Sequence, residues 1–385
     1  MKIGFLITYF YPFSGGAESN CYYLAEEMAK RGHEVHVFTS DRKDGKIIEK
    51  KEELVDGIHI HRFRTWFRYK YYLALYPSIL KILKYDLDIL HVHAFGFVQQ
   101  DIIVLLEKIR GKTKLICTPH GPFMALKEYN LPSRILKSLY MPFLKLVDRQ
   151  YDKIIKVNDF QFEWMKDYGG RKNQIVLLPN GIPEETFRKI SPKELLNVEK
   201  KFNLKGKFVI AYLGRIQQYK GLDQVIKILP NLAKIKKNIV FVAAGQDAGD
   251  RERLERLTKE LRVNENVIFT GKVSESEKLA LLDLSEVFVF PSEWEAFGIV
   301  LLEAMARKNA VISTSTEGGR FLVKKENGFT YRFGNLKELE SKISIVLNNS
   351  QLRKKMQHNN IKKARNFLWK DIAVKLESIY TTMLK

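Results

Sequence analysis

Short runs rich in Val, Ile, Leu and Phe recur along the chain, and after a polar or glycine-containing break each gives way to apolar residues repeating at helical spacing. This alternation predicts an α/β protein with parallel sheets of βαβ units. In the first half the pattern predicts strands over 3–8, 34–39, 88–93, 114–118, 153–157 and 174–178. In the second half it predicts strands over 207–213, 239–244, 267–270, 287–290, 310–314 and 328–332. Residues 3–39 read as one full unit: a strand, a Gly-containing loop, then a helix whose Ala17, Cys21, Leu24, Ala25 and Met28 share one face. Between Pro179 and Pro192, Pro, Gly and charged residues cluster while apolar runs lapse, which predicts a crossing between two Rossmann-like domains. Near the C-terminus Trp369, Ile372, Leu376, Ile379 and Met383 form a helical stripe.

Composition narrows this picture. A chain of 385 residues with 45% apolar content suits two domains, each with ample core. No run reaches the roughly 18–20 apolar residues of a membrane span. The N-terminus, with Lys2, enters a strand at once instead of a signal peptide, so a cytosolic protein is expected. Cys21 and Cys117 lack metal-like spacing and are expected to be reduced, buried thiols.

The net charge of +21 divides as +8 over residues 1–190 and +13 over 191–385. Residues 62–72 hold four basic and six aromatic side chains with no acid, and Ile79, Leu80, Ile82 and Leu83 follow with Lys81 and Lys84. Residues 134–145 repeat the mixture. Basic residues with aromatic anchors suit an anionic membrane surface, so residues 62–84 and 134–145 are candidate membrane contacts. An ordinary solvated basic face is the plainer reading. Interleaved charge and aromatics also suit nucleic acid, yet no recognised nucleic-acid motif is present.

Candidate chemistry concentrates after the apolar run ending at Pro291-Ser292. Glu295 and Glu303 flank seven residues in which Phe297 and Gly298 fit a helix start, while Val300, Leu301, Ala304 and Met305 supply its buried stripe. At about 1.5 Å rise per residue the two carboxylates stand roughly 8–12 Å apart, with the helix's unpaired N–H groups between them. An anion fits that gap, and carboxylates at either side suit hydroxyl pairs: a nucleotide-sugar has this layout. Two Glu flanking a helix start are also common on solvated surfaces. Upstream, the strand Phe208–Leu213 runs into Gly214-Arg215 and Lys220-Gly221 before another helical pattern, an arrangement suited to a diphosphate. Gly15 and Gly16 follow the first strand where an open α/β sheet receives ligand, without G-x-G-x-x-G spacing. His120 follows the strand Leu115–Thr118, whereas His91 and His93 alternate along a strand. Asp86-Leu87-Asp88 imitates a metal-binding D-x-D, but it precedes its strand at the edge opposite the ligand end. No metal site is expected.

These segments, together with Ser14–Glu18, Arg31–Val35, Thr118–Gly121 and Pro179–Ile182, resemble the retaining nucleotide-sugar glycosyltransferases of the GT-B fold, family 4, over essentially the whole chain. The resemblance implies an acceptor-binding domain at 1–182, a donor-binding domain at 183–367, and a helix at 368–385 returning to the first domain, with the two domains facing across a cleft. It implies retaining, hexosyltransferase-type transfer without a metal or other cofactor. Arg215, Lys220 and the N–H groups of Gly298, Ile299 and Val300 would hold the diphosphate. Glu303 would take the ribose, Glu295 the sugar hydroxyls, and the stretch around Phe297, Lys272 and Val273 the rest of the nucleotide. His120 and Gly15-Gly16 would act on the donor sugar from the facing domain. UDP is the first expected nucleotide and GDP the second, with a hydroxyl acceptor on a glycan or lipid-linked glycan. Departures from the family pattern are Ile182-Pro183, Lys308–Val311, and Arg320–Val323 after Gly318-Gly319, where a Glu is common. A GT-B 2-epimerase and a non-catalytic basic binding module are the alternatives.

Overall fold

The computed structural model describes residues 1–13, 15–43, 46–69, 73–121 and 131–385. They divide into two compact units, residues 1–180 with 369–385, and residues 181–368.

The first unit is built on β1 (Lys2–Leu6), β2 (Glu34–Ser40), β3 (Glu52–Val55), β4 (Ile58–Phe63), β5 (Ile89–His93), β6 (Lys114–Thr118), β7 (Lys153–Lys156) and β8 (Ile175–Leu177). Their order across the sheet is β8-β7-β6-β5-β1-β2-β4-β3. All pairs are parallel except the edge pair β3 and β4. Every residue of β5 is buried, as are four of the five in β1 and in β6, because helices cover both faces of a parallel sheet.

Strands β3 and β4 were not among the expected elements. Asp56 and Gly57, both at positive φ, make the two-residue turn that joins them. Charged Glu52 and Glu53 leave β3 half-wet, as an edge strand tolerates. Its Glu53 also pairs with Arg62 at 2.8 Å, burying a guanidinium that the charge pattern had placed on a basic surface. Pro77–Lys84 is a 3₁₀ turn whose Ile79 and Ile82 lie in the core, so only part of that candidate patch reaches the surface.

The helix Trp369–Leu384 belongs to the first unit. It buries Trp369, Ile372, Ala373, Leu376, Tyr380 and Met383, with Tyr380 fully buried and the neighbouring Ile379 only partly so. Against the helix Gly16–Lys30 the Trp369 ring stacks on Tyr23 at 5.6 Å, while Arg31 and His33 converge on Glu377 at 2.5 and 2.7 Å.

The second unit carries β9 (Phe208–Leu213), β10 (Ile239–Ala244), β11 (Val267–Gly271), β12 (Val287–Phe290), β13 (Ala310–Thr314) and β14 (Gly328–Tyr331). They form one parallel sheet in the order β11-β10-β9-β12-β13-β14. Strand order reverses between β9 and β12, and loops leaving the C-terminal ends of two such strands diverge to opposite faces, opening a crevice for ligand.

Candidate active site

The two loops at that reversal are the ones the motifs mark. After β9 the chain turns through Gly214 to Gly221, and after β12 it runs from Pro291 to Gly298, where the helix Ile299–Ala306 begins. Glu295 therefore sits on the loop and Glu303 within the helix. Gly221 has φ +67°, and an added Cβ would lie 2.3 Å from the Pro291 carbonyl oxygen, so only glycine lets the loops approach so closely. The buried Gln224 amide donates to the same carbonyl at 3.0 Å and accepts from the Gly334 N–H at 2.8 Å, bracing the turn.

Across this bracket Lys220 Nζ reaches Glu295 Oε2 at 2.9 Å. The ammonium also lies over the rings of Tyr219 and Phe290, 4.8 and 5.4 Å from their centroids. Burial acts to lower the Lys220 pKa, but the Glu295 carboxylate and Tyr219 outweigh it, and the pKa is raised. Lys220 is thus held as a cation with its partner on the opposite loop. Arg215 is exposed and has no ion pair among the described residues. It is a cation available to a ligand.

Glu303 is paired with Lys278 at 2.6 Å, and Lys278 reaches Glu275 at 2.8 Å. Burial opposes the Lys278 charge, yet the two carboxylates prevail and keep it protonated. The sequence reading missed Lys278. The capping box of Ser274 and Glu277 starts its helix, but a pairing with a residue 25 positions away leaves no local trace. Gly318, named from the sequence only in marking a departure from the family pattern, also shapes the site. Its N–H donates to the Glu295 carbonyl at 3.1 Å, and an added Cβ would meet the Phe297 carbonyl oxygen at 2.2 Å, so this glycine sets the loop carrying Glu295. Phe297 is buried, with its ring 5.9 Å from that of Phe321. Gly298 caps the helix at φ +81°, placing Ile299 and Val300 in the first turn, where backbone N–H groups lack helical partners. Lys272 and Val273 follow β11 at the same end of the sheet, Lys272 exposed and Val273 half-buried.

In the first unit Gly15 and Gly16 open the helix after β1, and the Glu18 carboxylate folds over Gly15 so closely that a Cβ there would lie 2.3 Å from Oε2. Asn20 of that helix donates to Asn180 Oδ1 at 2.8 Å, joining the helix that follows one motif segment to another segment. His120, half-buried, follows β6 with φ +58° and lies 2.8 Å from His93 through Nε2 and Nδ1. Burial drives its pKa down to about 3, so it is neutral at physiological pH. Ser14, and Lys70, Tyr71 and Tyr72 of the first basic-aromatic patch, lie outside the described residues. Trp66, Phe67 and Leu75 in that patch are exposed, as are Ile135, Leu136 and Leu139 of the helix Leu131–Asp148. Asp88 accepts from the Lys2 N–H at 2.7 Å, and among the described residues no three His, Cys, Asp or Glu are grouped to hold a metal.

Residues 14–186 match the pattern of Glycosyltransferase Family 4, and residues 196–363 match that of Glycosyl transferases group 1. The chain belongs to glycosyltransferase family 4. This glycosyltransferase is 24% identical to a phosphatidyl-myo-inositol mannosyltransferase of Mycobacterium leprae over 100% of this chain and 97% of that one. It is 32% identical to the capsular polysaccharide biosynthesis glycosyltransferase CapM of Staphylococcus aureus over 56% of this chain and 57% of CapM. The structure of Anabaena HepE in complex with UDP superposes with a TM-score of 0.80 at 18% identity, covering 99% of this chain and all of that one. The family 4 glycosyltransferase therefore has the GT-B fold.

Proposed function

We propose that this glycosyltransferase moves a hexose from a UDP-sugar to a hydroxyl of a lipid-linked or membrane-proximal glycan, with retention at the anomeric carbon. The observation carrying this reading is the meeting of Lys220 and Glu295 across the strand-order reversal, with Arg215 exposed on the Lys220 loop and without an ion pair among the described residues. As the bond from sugar to diphosphate breaks, negative charge grows on the leaving phosphate. Arg215 offers it a fork of donors and Lys220 a point charge, and the N–H groups of Gly298, Ile299 and Val300 complete the cradle. Glu303 takes the ribose hydroxyls as acceptor and Glu295 those of the sugar. Backbone groups at Lys272 and Val273 meet the base, and His120 and the Gly15-Gly16 loop act on the sugar. Retention follows from the family resemblance, and UDP from HepE, whose structure holds it. GDP is the second choice.

The acceptor reading draws on the relative named for a phosphatidyl-myo-inositol substrate and on the exposed apolar side chains of Trp66, Phe67, Ile135, Leu136 and Leu139, with basic Arg64, Arg134 and Lys145 among them. Thermal stabilisation by UDP-, GDP- and ADP-sugars tests the donor site. A UDP-sugar at a hundred times its Kd is expected to add about 2.7 kcal/mol of stability, most of it lost in Glu303→Ala. Indifference of the wild type to all three donors refutes the donor reading. Sedimentation with phosphatidylserine vesicles at low salt tests the membrane surface, and a folded protein that stays in the supernatant removes that part.

A further inference from the structure

His93 is the last residue of β5, 1% exposed, and its imidazole lies between two others: it stacks on His91 at 4.5 Å between centroids and meets His120 edge to edge, with centroids 5.1 Å apart. Its Nδ1 is 2.8 Å from His120 Nε2, while its own Nε2 is buried with no hydrogen-bond partner among the described residues. One proton is shared in the contact between the rings, and which ring carries it follows from that orphaned nitrogen. A neutral imidazole has one N–H. If His120 donated from Nε2, His93 would have to accept at Nδ1 and carry its proton on Nε2, a buried donor with nothing to receive it. That arrangement forfeits the full desolvation cost of an N–H. In the reverse arrangement His93 donates from Nδ1 and leaves a bare lone pair at Nε2, which buried sites tolerate more readily than an orphaned N–H. His120 then accepts at Nε2, so its proton sits on Nδ1.

We propose that His93 is a positioning residue that locks His120 as the Nδ1–H tautomer, so that His120 meets the bound sugar as an oriented, neutral hydrogen-bond donor and not as a base. The proposal rests on the placement of His120 in the sugar-transfer site given above. The left-handed backbone at His120 agrees with it, since a side chain held at φ +58° needs its surroundings to define it. Nδ1 of His120 has no protein partner among the described residues, and the half-buried ring leaves it open to a ligand oxygen. An Nδ1–H donor favours an oxygen that gains electron density or has a free lone pair, which fits a sugar hydroxyl or ring oxygen near the reacting carbon.

The test is long-range proton–nitrogen NMR on the full chain labelled with ¹⁵N-histidine, with the His120 signals assigned from their loss in His120→Gln. In the wild type, His120 is expected to show a protonated Nδ1 and an unprotonated Nε2, opposite to the preference of a free histidine side chain. A protonated Nε2 on His120 overturns the proposal, and because this spectrum needs no substrate it stands apart from the donor-site reading, which fails only if no nucleotide-sugar binds. In His93→Phe, His120 is expected to move to the Nε2–H form, with turnover falling about tenfold to a hundredfold while UDP still raises the melting temperature. In His93→Asn, whose amide nitrogen replaces Nδ1 as the donor, the Nδ1–H signal and most of the turnover are expected to return. An unchanged His120 tautomer in a folded His93→Phe overturns the assignment, as does loss of turnover that His93→Asn fails to rescue.

Discussion

Around β5 and β6 of the first unit, buried titratable side chains are kept neutral, although at that unit's edge Arg62 is buried as a pair with Glu53. Burial holds the pKa values of His91 and His120 at about 3, and burial with the neighbouring imidazoles holds His93 well below its usual value. Burial raises Asp101 to about 7, so it is largely protonated in weakly acidic conditions, and it pushes Asp148 well up, with Asp101 adding to the effect. Around its candidate site the second unit instead keeps half-buried opposite charges as pairs, Lys220 with Glu295 and Lys278 with Glu303, and it pairs the buried Arg307 with the exposed Asp283. A low-dielectric interior allows either solution, because what it penalises is an isolated charge. Under the proposed function the difference has a consequence. Paired cations can share themselves with an arriving diphosphate, whereas neutral imidazoles can orient a sugar without attracting an anion of their own.

The largest effect is expected where a pair is broken. Lys220→Ala removes the cation proposed to meet the diphosphate and leaves Glu295 without its partner, and kcat is expected to fall by about 10²- to 10³-fold with the fold retained by circular dichroism. Turnover at the wild-type rate would reduce the pair to loop bracing and erase the functional half of the contrast.

Next in size is a pH effect confined to the first unit. The folded pKa of Asp101, about 7, lies above its unfolded value near 3.8, so the folded state binds the extra proton between these limits. The stabilising contribution is therefore fully present below the unfolded pKa and is lost as pH rises through 7, at about 1.4 kcal/mol per pH unit. Asp101→Asn, which still accepts from the Tyr140 hydroxyl, should gain on the wild type as pH increases from roughly 5 to 7 in urea unfolding. A constant difference across that range would mean the carboxylate is already ionised in the folded protein.

The smallest effect concerns the neutral network alone. Tyr380 and His91 are fully buried and 2.7 Å apart. Tyr380→Phe should cost about 1–3 kcal/mol by leaving His91 Nδ1 unpaired, without changing nucleotide-sugar stabilisation. If donor stabilisation disappears as well, the histidine stack and the donor site are coupled more tightly than the contrast allows.

How far these features were legible follows from the range over which each is encoded. All twelve strands expected from apolar runs form, with ends shifted by a residue or two, because a strand buried on both faces declares itself in consecutive Val, Ile and Phe. Strands β3 and β4 escaped, since Glu52-Glu53 and His59, His61 and Arg62 mix polar residues into an edge. The Asp56-Gly57 turn was the available signal. The basic reading of residues 62–72 missed the acid that pairs with Arg62, because Glu53 reaches it across neighbouring strands and not along the chain.

By itself the amino-acid sequence determined the α/β alternation, the loop and helix positions of Glu295 and Glu303, and the family. Local propensity and periodicity act over a few residues, and motif residues keep their spacing wherever they lie. Only the tertiary structure decided which charges are spent on one another: Lys220 on Glu295, Lys278 on Glu303, Arg62 on Glu53. It also decided that His93 faces His120, and that Tyr380 instead of Ile379 fills the buried position above His91. These choices depend on groups 9 to 289 residues apart meeting in space, and a charge or a proton has no sequence signature until its partner is in place.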